Sequence, residues 1–410
     1  MSADLSLCYA GAGEIARLVR ERKLSPGEAV ENALARIEEV NPKLNCFCFV
    51  WHEEARQAAK AAEARLLAGG ELPPLLGVPV AFKDITPTRG QRTTLGSYAF
   101  EHWVPDVDAV VVERLTAAGA IVVGKTTTPE FAHAGITQSP LWGVTRNPWD
   151  LARTPGGSSG GAGAAVASGC VPLAEGSDMG GSIRIPAAFC GTVGLKPSFG
   201  RIPFEVLPSQ LDTLNHFGPL ARSVEDAARF LEAAHGPDER DLSSLPGRLS
   251  LEIPPRGDLK GMRLAVSEDL GFYAVAPAVA ERFRAAVATL EDAGAVVERV
   301  ELPWRAEIVD AWYALWQLFM AGYFGHLLEE WRAKLDRTVV GRIGDWFSNT
   351  LFRMGLVLAA ALMPNYATAQ QTEAVHSGHH HVENESLGPE VAGLVEGLGT
   401  GRRRRDLEPL

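Results

Sequence analysis

Residues 154–186 read TPGGSSGGAGAAVASGCVPLAEGSDMGGSIRIP. Two serines in this stretch, Ser158 and Ser182, each follow a pair of glycines and lie 24 residues apart. Glycine lets backbone N–H groups approach a ligand closely and takes φ angles that other residues resist. A serine directly after two glycines, with a strand shortly upstream, can face successive N–H donors that converge on one point. That is the geometry an oxyanion requires. A flexible Gly/Ser linker is the bland alternative, and the apolar segments close on both sides of each turn argue against it. The pattern predicts a turn over Gly156 to Gly163 leading into a small-residue helix, Ala164 to Ser168, then a strand over Val171 to Ala174.

Upstream, Leu75 to Phe82 is a β-like run ending in Lys83-Asp84. Ala109 to Ala118 is a helix closed by Gly119, and Ala120 to Val123 a buried strand. Nearer the start, Ser25-Pro26-Gly27-Glu28 offers an N-cap serine, a proline at the first helical position and a glutamate two residues later. It opens a helix over about 26–40 that should stop at Asn41-Pro42. Cys46 to Val50 reads as extended, and an alanine-rich helix over about 53–68 ends at Gly69-Gly70. Downstream, Val224 to Ala234 is a helix with Ser223 as its cap, and Gly236 to Gly261 is a long surface connection. No internal repeat is visible. Strands alternating with helices predict an α/β protein with a central, mixed, mostly parallel sheet covered by helices on both faces.

Composition narrows the function. The 410 residues are 46% hydrophobic and 22% charged, a globular balance, and 39 basic against 50 acidic residues give a net charge of −11. That charge argues against a general nucleic-acid binder, which needs a basic surface; only Arg402 to Arg405 is locally basic. Apolar stretches such as Leu356 to Met363 fall short of the roughly 20 residues that span a bilayer. The N-terminus lacks a secretory pattern, so a cytoplasmic location is expected. The 5 cysteines, Cys8, Cys46, Cys48, Cys170 and Cys190, read as reduced core thiols. Gly119 to Thr126 matches the phosphate-loop pattern GxxxxGK[ST]. Its context is wrong, because a helix precedes Gly119, the inserted residues are themselves a strand, and Pro129 interrupts the segment where the long helix should run.

Taken with Gly77-Val-Pro-Val-Ala-Phe82-Lys83-Asp84, Gly124-Lys-Thr-Thr-Thr-Pro-Glu130-Phe131, Asn147-Pro-Trp149-Asp150 and Gly191-Thr-Val-Gly-Leu-Lys196-Pro, the two serine turns resemble the amidase signature family. This family of serine amide hydrolases includes bacterial amidases, fatty acid amide hydrolase and the A subunit of the glutamyl-tRNA(Gln) amidotransferase. The likeness covers about residues 10–235, and more loosely to about 365. It implies that Ser182 is the nucleophile, Ser158 a bridging serine on a cis peptide bond, and Lys83 the general base. The backbone N–H groups of Met179, Gly180, Gly181 and Ser182 would form the oxyanion hole. A lysine is charged at neutral pH and cannot accept a proton unless burial favours its neutral amine. Lys83 directly follows the apolar Val78 to Phe82 run, which suits that need. The implied partner is a small-molecule amide, with no cofactor, no metal, no direct nucleic-acid contact and no membrane; a homodimer is compatible with the resemblance. Rival readings are a glutaminase like the A subunit of the amidotransferase, and a truncated, catalytically incompetent protein of the same fold.

Other candidates carry less. His133 reads as structural, and Asp178 and Arg184 as orienting the nucleophile loop. His376 to His381 (HSGHHH) lacks acidic or cysteine partners for a metal. Trp312, Trp316, Phe319, Tyr323 and Phe324 recur at helical intervals, as core or as the wall of an apolar acyl or amine pocket. The expected organisation is an amidase domain over 1–365, with a helical part to 70, a signature core over 71–235 and a variable pocket part over 236–365. The aperiodic tail, 366–410, reads as disordered and as replacing the family's usual C-terminal part, through truncation or a shifted reading frame.

Overall fold

The computed structural model describes residues 3–209, 212–249, 251 and 259–348, and of 345–348 only the backbone. The tail, HSGHHH, the arginine run and Leu356 to Met363 lie outside the described residues. Helices α1 (Ala12–Arg20) and α2 (Pro26–Leu44) lead to strand β1 (Phe47–Val50), followed by α3 (His52–Ala68) and β2 (Pro79–Lys83). Then come α4 (Val110–Ala117), β3 (Ile121–Thr126), α5 (Gly160–Ala167), β4 (Leu173–Asp178), α6 (Arg184–Cys190) and β5 (Val193–Gly194). Strand β6 (His216–Ala221) and α7 (Val224–Ala234) close the sheet region. A peripheral unit pairs β7 (Arg263–Val266) in parallel with β8 (Val296–Arg299) around α8 (Pro277–Asp292). Helices α9 (Glu307–Phe324) and α10 (Arg337–Ser348) come last.

The main sheet has the order β1-β3-β2-β4-β6-β5. Its centre, β3-β2-β4, is parallel, while β1, and β6 with β5, pair antiparallel at the two sides. β5, antiparallel to β6, points the same way as the centre, so four of the six strands run in one direction and the sheet is mixed as expected, with two parallel and three antiparallel pairings. Every residue of β2 and β4 is buried, which requires cover on both faces. One apolar cluster, from Ile15 through Phe82 and Val123 to Phe230, holds this sheet to its helices. A second cluster is separate: Phe131 and Leu95 meet Trp316, Met320 and Phe324 of α9 and Val339 and Ile343 of α10.

Four local expectations change. Helix α2 runs past Asn41-Pro42 to Leu44 because Pro42 falls in the last turn, where its missing N–H removes a single ladder bond. Asn45, left-handed at φ 50°, ends it and donates to the Asn41 carbonyl at 2.8 Å. Helix α5 begins at Gly160 rather than Ala164, so three of the glycines assigned to the turn are helical. Gly161 is needed there, since a Cβ would stand 2.4 Å from the Thr127 backbone nitrogen. β4 extends to Asp178 instead of ending at Ala174, and β3 to Thr126, which buries Lys125 inside the sheet rather than on a phosphate loop.

Candidate active site

Strands β2 and β4 are parallel neighbours, and their carboxyl ends open on the same side, where ligands sit in open α/β sheets. Lys83 is the last residue of β2 and is fully buried. Its Nζ lies 2.5 Å from Ser158 Oγ and 2.9 Å from Ser177 Oγ. The Gly157–Ser158 peptide is cis, in keeping with the expectation for Ser158. The two serine turns are tied together: Ser159 N–H donates to the Ser182 carbonyl at 3.1 Å, and Ser159 Oγ to the Ser177 carbonyl at 3.2 Å. Ser182 and Ser158 consequently line one cavity.

Burial drives the Lys83 amine down from its ordinary 10.5 to about 7, against the opposing charges of Glu175 and Asp178. Asp178 orders the loop that carries Ser182. Its carboxylate accepts two bonds of 2.9 Å from the Arg184 guanidinium, one of 2.7 Å from Gly181 N–H and one of 3.2 Å from Ile183 N–H. Burial raises its pKa, but the Arg184 contacts and these N–H donors outweigh that and hold it below the usual value. This corrects one expectation, because the Gly181 N–H is engaged by a carboxylate and does not point at a ligand. Gly180 permits a close approach on the other side, where a Cβ would come within 2.4 Å of the Trp312 ring.

The cavity holds about 490 Å³, within the roughly 300–1,000 Å³ typical of ligand sites. Phe100, Trp103 and Phe131 line it together with Trp312, Trp316 and Phe324 of α9. Phe131 stacks on Phe324 with ring centroids 4.1 Å apart. The aromatic stripe of α9 is thus both core and wall. Among the described residues, no lysine, arginine, aspartate or glutamate lines the cavity. His133 also lines it, bonded through Nδ1 to the Glu130 carbonyl at 2.8 Å and through Nε2 to Thr338 Oγ1 at 2.7 Å. Both ring nitrogens are occupied, as a structural histidine requires. No three histidine, cysteine, aspartate or glutamate side chains among the described residues group to hold a metal, and none of the described helices is long and apolar enough to cross a membrane.

Ser177 and Glu175 escaped the sequence reading. Ending the strand at Ala174 hid that Glu175 and Ser177 continue one face of β4, the face that meets Lys83.

This α/β sheet, with a buried lysine and two paired glycine-serine turns at its strand ends, defines an amidase-type scaffold. The chain belongs to the Amidase family, whose model matches residues 28–377. It is 44% identical over 307 residues to the A subunit of the glutamyl-tRNA(Gln) amidotransferase from Symbiobacterium thermophilum, covering 74% of this chain and 63% of that relative. The chain thus spans less than two thirds of that curated relative's length. Among solved structures it resembles a bacterial aryl acylamidase of the amidase signature family (TM-score 0.78, 30% identity, 86% of this chain and 76% of that one). It also resembles 6-aminohexanoate cyclic dimer hydrolase (TM-score 0.73, 31% identity, 82% of this chain and 71% of that one).

Proposed function

We propose that the chain is a serine amidase that hydrolyses an uncharged carboxamide bearing an apolar or aromatic group. The observation that carries this reading is the fully buried Lys83, its amine on Ser158, at a cavity that Ser182 also lines. Neutral Lys83 takes the Ser158 proton as Ser158 takes that of Ser182. The Ser182 oxygen bonds to the amide carbon, and the carbonyl electron pair moves onto oxygen. The N–H groups of Met179, Gly180 and Ser182 receive that oxyanion, the Gly181 N–H being held by Asp178. On collapse the C–N bond breaks, and Lys83 returns its proton through Ser158 to the departing amine. Water, activated by the same relay, then releases the acid.

A second reading, a glutaminase of the amidotransferase type, draws on the name that the curated relatives carry. Glutamine brings an α-carboxylate and an ammonium that need partners of opposite charge, and the described lining offers neither. The test is intact-mass spectrometry after fluorophosphonate treatment, followed by turnover of anilides and of glutamine. A single adduct on the wild type, absent from Ser182→Ala, with anilides preferred, is the expected result. An adduct with glutamine preferred would select the second reading. No adduct on a chain folded by circular dichroism would mean a protein of this fold without the activity.

A further inference from the structure

Beneath the relay lies a carboxyl group that the scheme above leaves unused. Glu175 and Ser177 are two residues apart on β4 and so project to the same face. On that face Ser177 Oγ holds Lys83 Nζ, and Glu175 Oε2 accepts the Lys83 backbone N–H and the Thr86 hydroxyl, both at 2.9 Å. Glu175 Oε1 is buried and makes no hydrogen bond, and the residue as a whole is 1% exposed. A glutamine would satisfy both donors just as well. An ionisable group is the costly choice at a desolvated position, and a buried polar atom without a partner calls for a reason.

The reaction supplies one. Acylation delivers a proton to Lys83 and creates a cation in the dry interior, where a charge requires an opposite charge nearby. The surrounding ionisable groups are already engaged. Asp178, on the same strand, is bound by Arg184 of α6 and by loop N–H groups. Asp84, next to Lys83, accepts from the Thr94 hydroxyl, Thr94 N–H and Gly96 N–H. Lys125 of β3 donates to the Thr86 carbonyl, with the Cys48 thiol of β1 bonded to the Lys125 carbonyl. His216 of β6 turns its Nδ1 to the Leu214 and Asp178 carbonyls. Asp108 accepts from Arg89 N–H, and α5, packed on β4, carries no ionisable side chain. Among the described groups of this cluster, only Glu175 keeps a buried carboxyl oxygen without a partner.

We propose that Glu175 is a positioning residue for the acylation, fixing the end of β2 through the Lys83 N–H and providing the counter-charge to the proton that arrives on Lys83. This inference rests on the serine-amidase reading. The test follows the Lys83 titration in ¹³Cε-lysine spectra of the full chain, and the pH dependence of fluorophosphonate labelling, for wild type, Glu175→Gln and Thr86→Val. In Glu175→Gln, which keeps an acceptor for both donors, the Lys83 midpoint and the rising limb of labelling move to lower pH by about one unit. The plateau rate falls by about tenfold or more. Thr86→Val, which removes the hydroxyl that steadies the carboxylate, moves both the same way by less and keeps the inference testable if the glutamine variant fails to fold. A lower rate with an unmoved midpoint would reduce Glu175 to a packing contact and overturn the proposal. Absence of labelling in the wild type would defeat the amidase reading separately, and the spectroscopic midpoint would still decide for or against the counter-charge.

Discussion

The rate at which Ser182 is acylated should follow the neutral fraction of Lys83. At its ordinary value of 10.5 a lysine is neutral in about one molecule in three thousand at pH 7, whereas at about 7 the fraction is near one half. Holding the amine neutral to that extent corresponds to roughly 5 kcal/mol at about 1.36 kcal/mol per pH unit, the balance of taking the ammonium out of water against the opposing charges of Glu175 and Asp178. The perturbation is pH itself, and the assay is the second-order rate of fluorophosphonate labelling read by intact mass, which needs no knowledge of the substrate. Labelling at pH 6 should run at about a tenth of its plateau, at pH 7 at about half, and level off above about pH 8. Lys83→Met should show no such limb and almost no labelling. A limb centred above about pH 9, or a flat profile from pH 6 to 9, would refute the reasoning that burial prepares this base.

Three further outcomes are expected from the same geometry. In the proposed relay Ser158 carries the proton between Ser182 and Lys83, so for Ser158→Ala labelling should fall by about 10²–10⁴-fold while the melting temperature changes little. Lys83 binds fewer protons folded than unfolded between about pH 7 and 10.5, so the wild type should gain stability relative to Lys83→Met as pH rises through that window. Denaturant titrations at pH 7 and 9 should differ by about 2 kcal/mol in that comparison. Phe324→Ala removes the ring stacked 4.1 Å from Phe131 and should cost about 3–5 kcal/mol of stability, together with affinity for anilides.

Much of the sheet was legible because its signals are local. Gly119 after α4, the capping serines Ser25 and Ser223, and the glycine pairs before Ser158 and Ser182 each constrain a few residues of backbone, and the structure realises them. The features that stayed hidden depend on contacts distant in sequence. Glu175 and Ser177 matter only because β4 lies beside β2, a pairing that no window of sequence displays. The Gly181 N–H looked available from its place in a glycine turn, yet Asp178, three residues earlier, folds back to take it. Lys125 matched a phosphate-loop pattern while its backbone was a buried strand, so strand length, not motif, decided its role.

The separation of the two apolar clusters has a bearing on how such a protein can change. Lys83, Ser158 and Ser177 are fixed by the sheet and its small-residue helix, whereas the wall contributed by α9 belongs to the other cluster, packed with α10. Replacing residues on the cavity side of α9, other than Trp312 which packs on Gly180 of the Ser182 loop, should therefore redraw which molecules are admitted and leave the Lys83 contacts with Ser158 and Ser177 in place. Ancestral drift and laboratory selection can both travel that route: one unchanging engine, many interchangeable front doors.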